Sequence, residues 1–176
     1  QRAHAKAINF GIIYGSSAFG IANQLGIAQA DAQSTIDAYF TQYRGVRRFL
    51  DATVEAAKRD GFVRTLLGRR RYLPDLASRN RVLRQAAERR AVNTVIQGTA
   101  ADLIKKAMVE VAQTLEDRGL SARMILQVHD ELVFEVSDAE LDQLEQLVRD
   151  RMESVYALEV PLLVEVGLGS NWRKAH

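Results

Sequence analysis

The sequence predicts an α+β fold. A helical lobe over about residues 1–85 is followed, over about 86–176, by a lobe with a small antiparallel sheet backed by helices. Three observations carry this expectation. Residues 2–60 read as successive helical stretches broken by glycines. Two apolar, branched runs, 122–128 and 132–136, flank His129-Asp130-Glu131, which is the pattern of a hairpin. A long helical pattern precedes that hairpin and another follows it, so the sheet has helices to pack on.

Taken in order, RAHAKAINFGIIY (residues 2–14) reads as a helix that Gly15 ends. A short helical stretch lies near 19–25 and a longer one near 29–43. Gly45 opens or interrupts the next, which runs to about Asp60 with Phe49, Val54 and Ala57 at packing positions. The period then changes: residues 62–66 and 69–73 flank Leu67-Gly68 as a hairpin that Pro74 closes. A long helical pattern covers roughly 80–118 and stops at Gly119, with Gly98-Thr99 as a place to bend or split it. Ser137-Asp138-Ala139-Glu140 has the form of a capping box. The helix it starts sets Leu141, Leu144, Val148, Met152 and Val155 along one stripe, and PLLVEVG (161–167) reads as a third strand. No internal repeat is visible.

Composition narrows the function classes. The 176 residues are 47% hydrophobic and 26% charged, the profile of a chain that buries a core rather than a disordered one. No apolar run reaches the roughly 18 residues of a membrane-spanning helix. With no cysteine, disulfide scaffolds, thiolate zinc sites and cysteine nucleophiles are excluded. The chain starts at Gln1 with no secretory leader behind it, which points to a piece of something longer. The net charge of +2 is unevenly placed: residues 58–90 hold eleven basic groups against three acids, a local +8. Ten of the eleven are arginine, the side chain that pairs bidentately with phosphate. Such a stretch is either a phosphate footprint or a solvated helix face.

Three constellations bear on chemistry. Arg2, Lys6, Phe10 and Tyr14 are spaced by four, so they form one drifting stripe about 18 Å long on the first helix. Two cations followed by two rings match the polarity of a nucleoside triphosphate, with Gly11 and Gly15 leaving room beside the rings. An ordinary amphipathic helix has the same spacing. Arg89, Asn93 and Gln97 repeat the spacing with hydrogen-bonding side chains. Such a face can donate to the purine N3 and pyrimidine O2 acceptors of a duplex minor groove whatever the base sequence, or simply be solvated. Asp130 and Glu131 sit at a hairpin tip, where carboxylates on rigid strands can help to hold Mg²⁺, although acids are also common in turns. Zinc at His129 is weakly supported, since the chain has three histidines without paired ligand spacing.

Together these residues resemble a known family. RAHAKAINFGIIYG closely resembles the nucleotide-binding helix, motif B, of family A DNA polymerases, the bacterial DNA polymerase I group. QVHDELVFE (127–135) resembles that family's motif C. Residues 88–93 with 96–102 resemble the helix between the motifs, and Gly169-Ser170-Asn171-Trp172 its closing segment. The resemblance implies that residues 1–85 belong to the fingers and residues 86–176 to the C-terminal part of the palm. It implies that Arg2, Lys6, Phe10 and Tyr14 bind the incoming dNTP, with Lys6 also a candidate for proton transfer to pyrophosphate. Phe10 would cover the deoxyribose, and Tyr14 would stack at the insertion site. Gly15, Ser17, Arg89, Asn93, Gln97 and His129 would contact primer–template DNA. Asp130 would be a catalytic metal ligand and Glu131 its acidic neighbour, within a site using two Mg²⁺ ions.

The sequence also departs from the family pattern: Ala3 stands where a second arginine is common, and Val95 where a proline is usual. Motif A, with the other catalytic aspartate, has no counterpart in residues 1–176, so the resemblance implies that the chain acts with an N-terminal part and is inactive alone. A bacterial, nucleoid-associated cytoplasmic location without membrane contact follows from the same resemblance. A non-catalytic DNA-binding module and a split polymerase are the other readings.

Overall fold

In the computed structural model, which describes residues 2–175 apart from the side chains of Arg2, Ala3, His4 and Ala7, four helices come first. They are α1 (Arg2–Ile13), α2 (Ala18–Leu25), α3 (Gln29–Gln42) and α4 (Arg44–Asp60). Strands β1 (Phe62–Arg64) and β2 (Arg70–Tyr72) form an antiparallel hairpin, with Phe62 opposite Tyr72 and Arg64 opposite Arg70. A single 3₁₀ turn at Pro74–Ala77 leads into α5 (Arg81–Asp117). Then come β3 (Arg123–Val128), β4 (Glu131–Glu135), a 3₁₀ turn at Asp138–Glu140, α6 (Leu141–Glu153) and a last turn, α7 (Trp172–Ala175). The chain divides into two compact units, Gln1–Gly98 and Thr99–His176.

The first unit has two apolar clusters. Ile12, Ala18, Ile21, Ala22 and Ala32 join α1, α2 and α3, with Tyr39 and Phe40 packed on them. Alanines at three of these positions on α2 and α3 let the helix backbones approach, and fully buried Ile21 fills the gap. Burial of such a side chain contributes about 1.5–3 kcal/mol. Ala57, Val63, Leu73, Leu76, Ala87 and Ala91 seat the β1–β2 hairpin between α4 and α5. Leucines and valines of the second unit, among them Val111, Leu115, Leu144, Leu147 and Val148, pack α5 and α6 with Met124 of β3 and Phe134 of β4.

Three expectations are corrected. Residues 161–167 are not a strand. Their backbone bonds go to side chains of α6 instead: Val164 N–H donates to Glu153 Oε1 at 2.9 Å, and Arg149 donates to the Val164 carbonyl. The capping box does not close. Ser137 makes no side-chain cap, and the Glu140 carboxylate accepts from the Ser121 hydroxyl at 2.7 Å and from the Ser121 N–H at 3.1 Å. Lastly, α5 runs unbroken through Gly98-Thr99. Gly98 answers a packing need, since a Cβ there would lie 2.8 Å from Thr65 Cγ2. The buried stripe on α6 also includes Leu147, and Val155 lies beyond the helix end.

Candidate functional site

Helix α1 is closed by a two-bond motif. Gly15 N–H donates to Ile12 O at 3.1 Å and Ser16 N–H to Gly11 O at 2.8 Å, with Gly15 at φ +78. Only a residue tolerant of left-handed backbone suits that position. The motif stops the helix at Ile13, just before Tyr14, and aims the chain into α2, whose N-cap is Ser17: its hydroxyl accepts from Gly20 N–H at 3.2 Å.

On α1 the predicted stripe is assembled. Phe10 and Tyr14 stack with ring centroids 5.9 Å apart and planes 16° from parallel. Lys6 Nζ stands 5.8 Å from the Phe10 centroid, within the range of a cation–π contact. Phe10 remains 47% exposed, so part of its ring is open to a ligand between Lys6 and Tyr14, while Tyr14 is half-buried. Arg2 begins α1, but its side chain lies outside the described residues. The result is an ammonium group followed by two stacked, nearly parallel rings, the first of them partly exposed.

Arg89 reaches the end of this stripe. Its side chain packs over Gly15 so closely that a Cβ at Gly15 would sit 3.0 Å from Arg89 Cγ. The glycine therefore serves both the turn and the contact. Arg89 and Gln97 are exposed on α5, and Asn93 between them is half-buried. Asn93 Oδ1 is a buried acceptor without a hydrogen-bond partner, which costs about 1–3 kcal/mol in the ligand-free protein. A cavity of about 410 Å³ opens beside Gly15, Ser16 and Ser17, walled by Ile36, Phe40 and Arg47 among others. Its volume lies in the range of small-molecule sites.

The basic stretch sorts itself by partner. Lys58 pairs with Glu88 at 3.0 Å and Glu55 at 3.3 Å, and the Glu88 hydrogen bond raises its pKa. Arg59 pairs with Asp60, whose carboxyl that hydrogen bond holds below its ordinary value. Arg90 pairs with Asp75 at 3.1 Å, Arg71 donates to Thr94 Oγ1 at 3.0 Å, and Arg84 to the Ser78 carbonyl at 2.9 Å. These cations brace the fold. Arg89 makes no ion pair among the described residues, which leaves its charge available to a ligand.

In the second unit, His129 and Asp130 form a two-residue turn, with Val128 opposite Glu131. His129 has φ +54, the one positive φ among described non-glycine residues. Tight hairpin turns need such a conformation, and glycine is the usual occupant. A left-handed backbone at a non-glycine residue costs about 1–2 kcal/mol. Gln127 Nε2 braces the turn by donating to the His129 carbonyl at 3.0 Å. His129 and Asp130 are exposed; Glu131 is half-buried and engaged within the protein. Oxygen donors of this kind suit Mg²⁺, which binds through one or two carboxylates and keeps several waters. Among the described residues, no three His, Asp or Glu side chains gather into a metal-binding group. The hairpin thus fits as part of a cation site.

Sequence reasoning missed the anchoring of the β1–β2 hairpin through Arg71 and the Ser121–Glu140 link. A double glycine signal, Gly15 and Gly98, was the available clue to close approaches on α5.

A family profile described as DNA polymerase family A matches residues 1–174. The chain is 53% identical over 176 residues to DNA polymerase I of Pseudomonas aeruginosa and 49% identical over 175 residues to that of Bacillus subtilis. It is covered at 100% and 99% in these alignments but spans only 19% and 20% of those proteins. Among solved structures it resembles the POL domain of Pol1 from M. smegmatis in complex with DNA primer–template and dNTP. The TM-score is 0.96 at 52% identity, covering 99% of this chain and 31% of that one.

Proposed function

Because the chain belongs to DNA polymerase family A, we propose that it serves template-directed DNA synthesis in replication and repair, transferring a nucleotidyl group from a dNTP to a primer 3′-hydroxyl. The observation that carries the proposal is the stacked Lys6–Phe10–Tyr14 row with Arg89 closed over Gly15 at its end. In this reading the Lys6 ammonium, joined by Arg2, neutralises the triphosphate, and the exposed part of the Phe10 ring covers the deoxyribose. Tyr14 stacks at the insertion position. The template strand passes Gly15 and Ser17, where the 410 Å³ cavity has room for a base. Arg89, Asn93 and Gln97 hold the paired duplex through groove acceptors common to every base pair.

The reaction forms the bond from the primer 3′-oxygen to the α-phosphorus, with the 3′-hydroxyl proton passing to solvent water, and breaks the bond from that phosphorus to the bridging oxygen. The electron pair leaves with pyrophosphate, to which Lys6 offers a proton. His129 lies at the primer terminus. Asp130, with Glu131 in a less direct role, would hold Mg²⁺ together with a carboxylate from outside residues 1–176. When bound, two such ions stabilise the attacking and leaving oxygens of an in-line displacement. On this account residues 1–176 extend no primer alone, and the N-terminal part of the polymerase is a required partner.

The test is Asp130→Ala in the full-length polymerase. Primer extension should fall by about 10²–10³-fold or more, with binding of primer–template changed by less than about threefold. Near-normal turnover would remove Asp130 from the catalytic centre.

A further inference from the structure

The outer face of the β1–β2 hairpin has no role in the scheme above. Strand alternation puts Phe62, Arg64, Arg70 and Tyr72 on one face and Val63 and Arg71 on the other. The inner face is anchored: Val63 is in the core, and Arg71 donates to Thr94 on α5, one residue from Asn93. On the outer face, Arg64 Cζ and Arg70 Cζ lie 5.2 and 5.1 Å from the Phe62 ring centroid. Tyr72 leans on Phe62 at 5.5 Å with planes 58° apart, and it is 67% exposed. Neither Arg64 nor Arg70 has an acid partner among the described residues, and Asp60, near Arg64, is already bonded to Arg59.

We propose that this face binds single-stranded DNA, namely the unpaired template ahead of the duplex, with Tyr72 as a base platform and Arg64 and Arg70 on backbone phosphates. A guanidinium stacked on a ring uses its flat face and leaves its N–H edge free for phosphate. Two arginines held over one ring have already lost much of their rotamer freedom, so a phosphate meets a preorganised pair. An exposed tyrosine beside the same ring offers stacking that only an unpaired base can accept. The hairpin that carries the site is anchored by its inner face on α5, the helix whose Arg89, Asn93 and Gln97 are assigned to the duplex. The inference rests on the polymerase reading.

The test uses the full-length polymerase carrying Arg64→Ala with Arg70→Ala, and primer–templates with a 5′ template overhang of about twelve nucleotides or of about one. The long-overhang substrate should lose about tenfold in affinity, and the short one less than about twofold. The salt slope for the long overhang should shrink by about 1.4, two phosphates at the single-strand value. Tyr72→Leu should weaken the long-overhang complex, whereas Tyr72→Phe, which keeps the ring, should not. A charge-matched control, Arg118→Ala with Arg151→Ala, should leave both affinities within about twofold. Equal losses on both substrates, no loss on either, or a loss confined to a substrate whose single strand is a displaced 5′ flap would each overturn the proposal. Failure of the unmodified full-length protein to extend any primer would instead sink the polymerase reading.

Discussion

Asn93 offers a direct way to separate fold from function. Its buried Oδ1 lacks a partner, while its neighbour Thr94 is fully used, donating to Arg90 O at 2.6 Å and accepting from Arg71. An unpaired buried amide oxygen costs about 1–3 kcal/mol, and an apolar group of similar shape does not incur that cost. Leucine is also the better helix former by a few tenths of a kcal/mol. Asn93→Leu should therefore stabilise the DNA-free protein locally by about 1–3 kcal/mol. Rotation about the broad terminal amide torsion lets Asn93 present either its carbonyl or its NH₂ to a duplex, so the same change should weaken primer–template binding. Loss of one such hydrogen bond corresponds to about 0.5–1.5 kcal/mol, or roughly two- to tenfold in affinity. Hydrogen exchange of the α5 amides in the full-length polymerase reads the first effect, because local opening can be followed segment by segment. A titration with primer–template reads the second. Asn93→Ala should gain less stability, because it leaves a void. If Asn93→Leu makes the free protein less stable, or leaves DNA affinity untouched, the account of an amide reserved for DNA fails.

Two further outcomes follow from long-range contacts. Gly98→Ala should destabilise the protein by about 1–2 kcal/mol: crowding against the 95%-buried Thr65 outweighs the roughly 1 kcal/mol gained in helix propensity. Thr65→Ser removes the opposing methyl, so Gly98→Ala in that background should be neutral or stabilising, as a double-mutant cycle in thermal unfolding would show. The Ser121 hydroxyl and N–H hold the Glu140 carboxyl below its ordinary value of 4.5. A depressed carboxylate contributes stability above that value and loses it as pH falls through the folded value. Glu140→Gln should thus flatten the loss of local protection around Ser121 on acidification below about pH 4.5; superimposable pH profiles for the two proteins would refute the link.

Much of this was legible from the chain. The four-residue spacing of Lys6, Phe10 and Tyr14 could place them only along one face of a helix, and the structure stacks them there. Gly15 and Gly119 marked helix ends because a left-handed backbone is required at both. The acid-tipped hairpin at His129-Asp130 followed from two branched runs too short to be anything else. Less was legible in the basic stretch. Counting gives +8, but only packing divides the cations bonded to Asp60, Asp75 and Glu88 from Arg89, which closes over Gly15.

Periodicity, turn chemistry and backbone handedness depend on a few adjacent residues, and these the sequence determined by itself. The choice of partner across longer separations belonged to the tertiary structure. Residues 161–167 have the apolar content of a strand, yet their backbone bonds to Glu153 and Arg149 of a helix. The Glu140 carboxylate passes over Ser137, three residues away, for Ser121, nineteen away. Gly98 reads locally as a helix breaker, yet it stays helical because Thr65 needs the space. A hydrogen-bonding group or a small side chain states a need, and only the packed chain supplies what meets it.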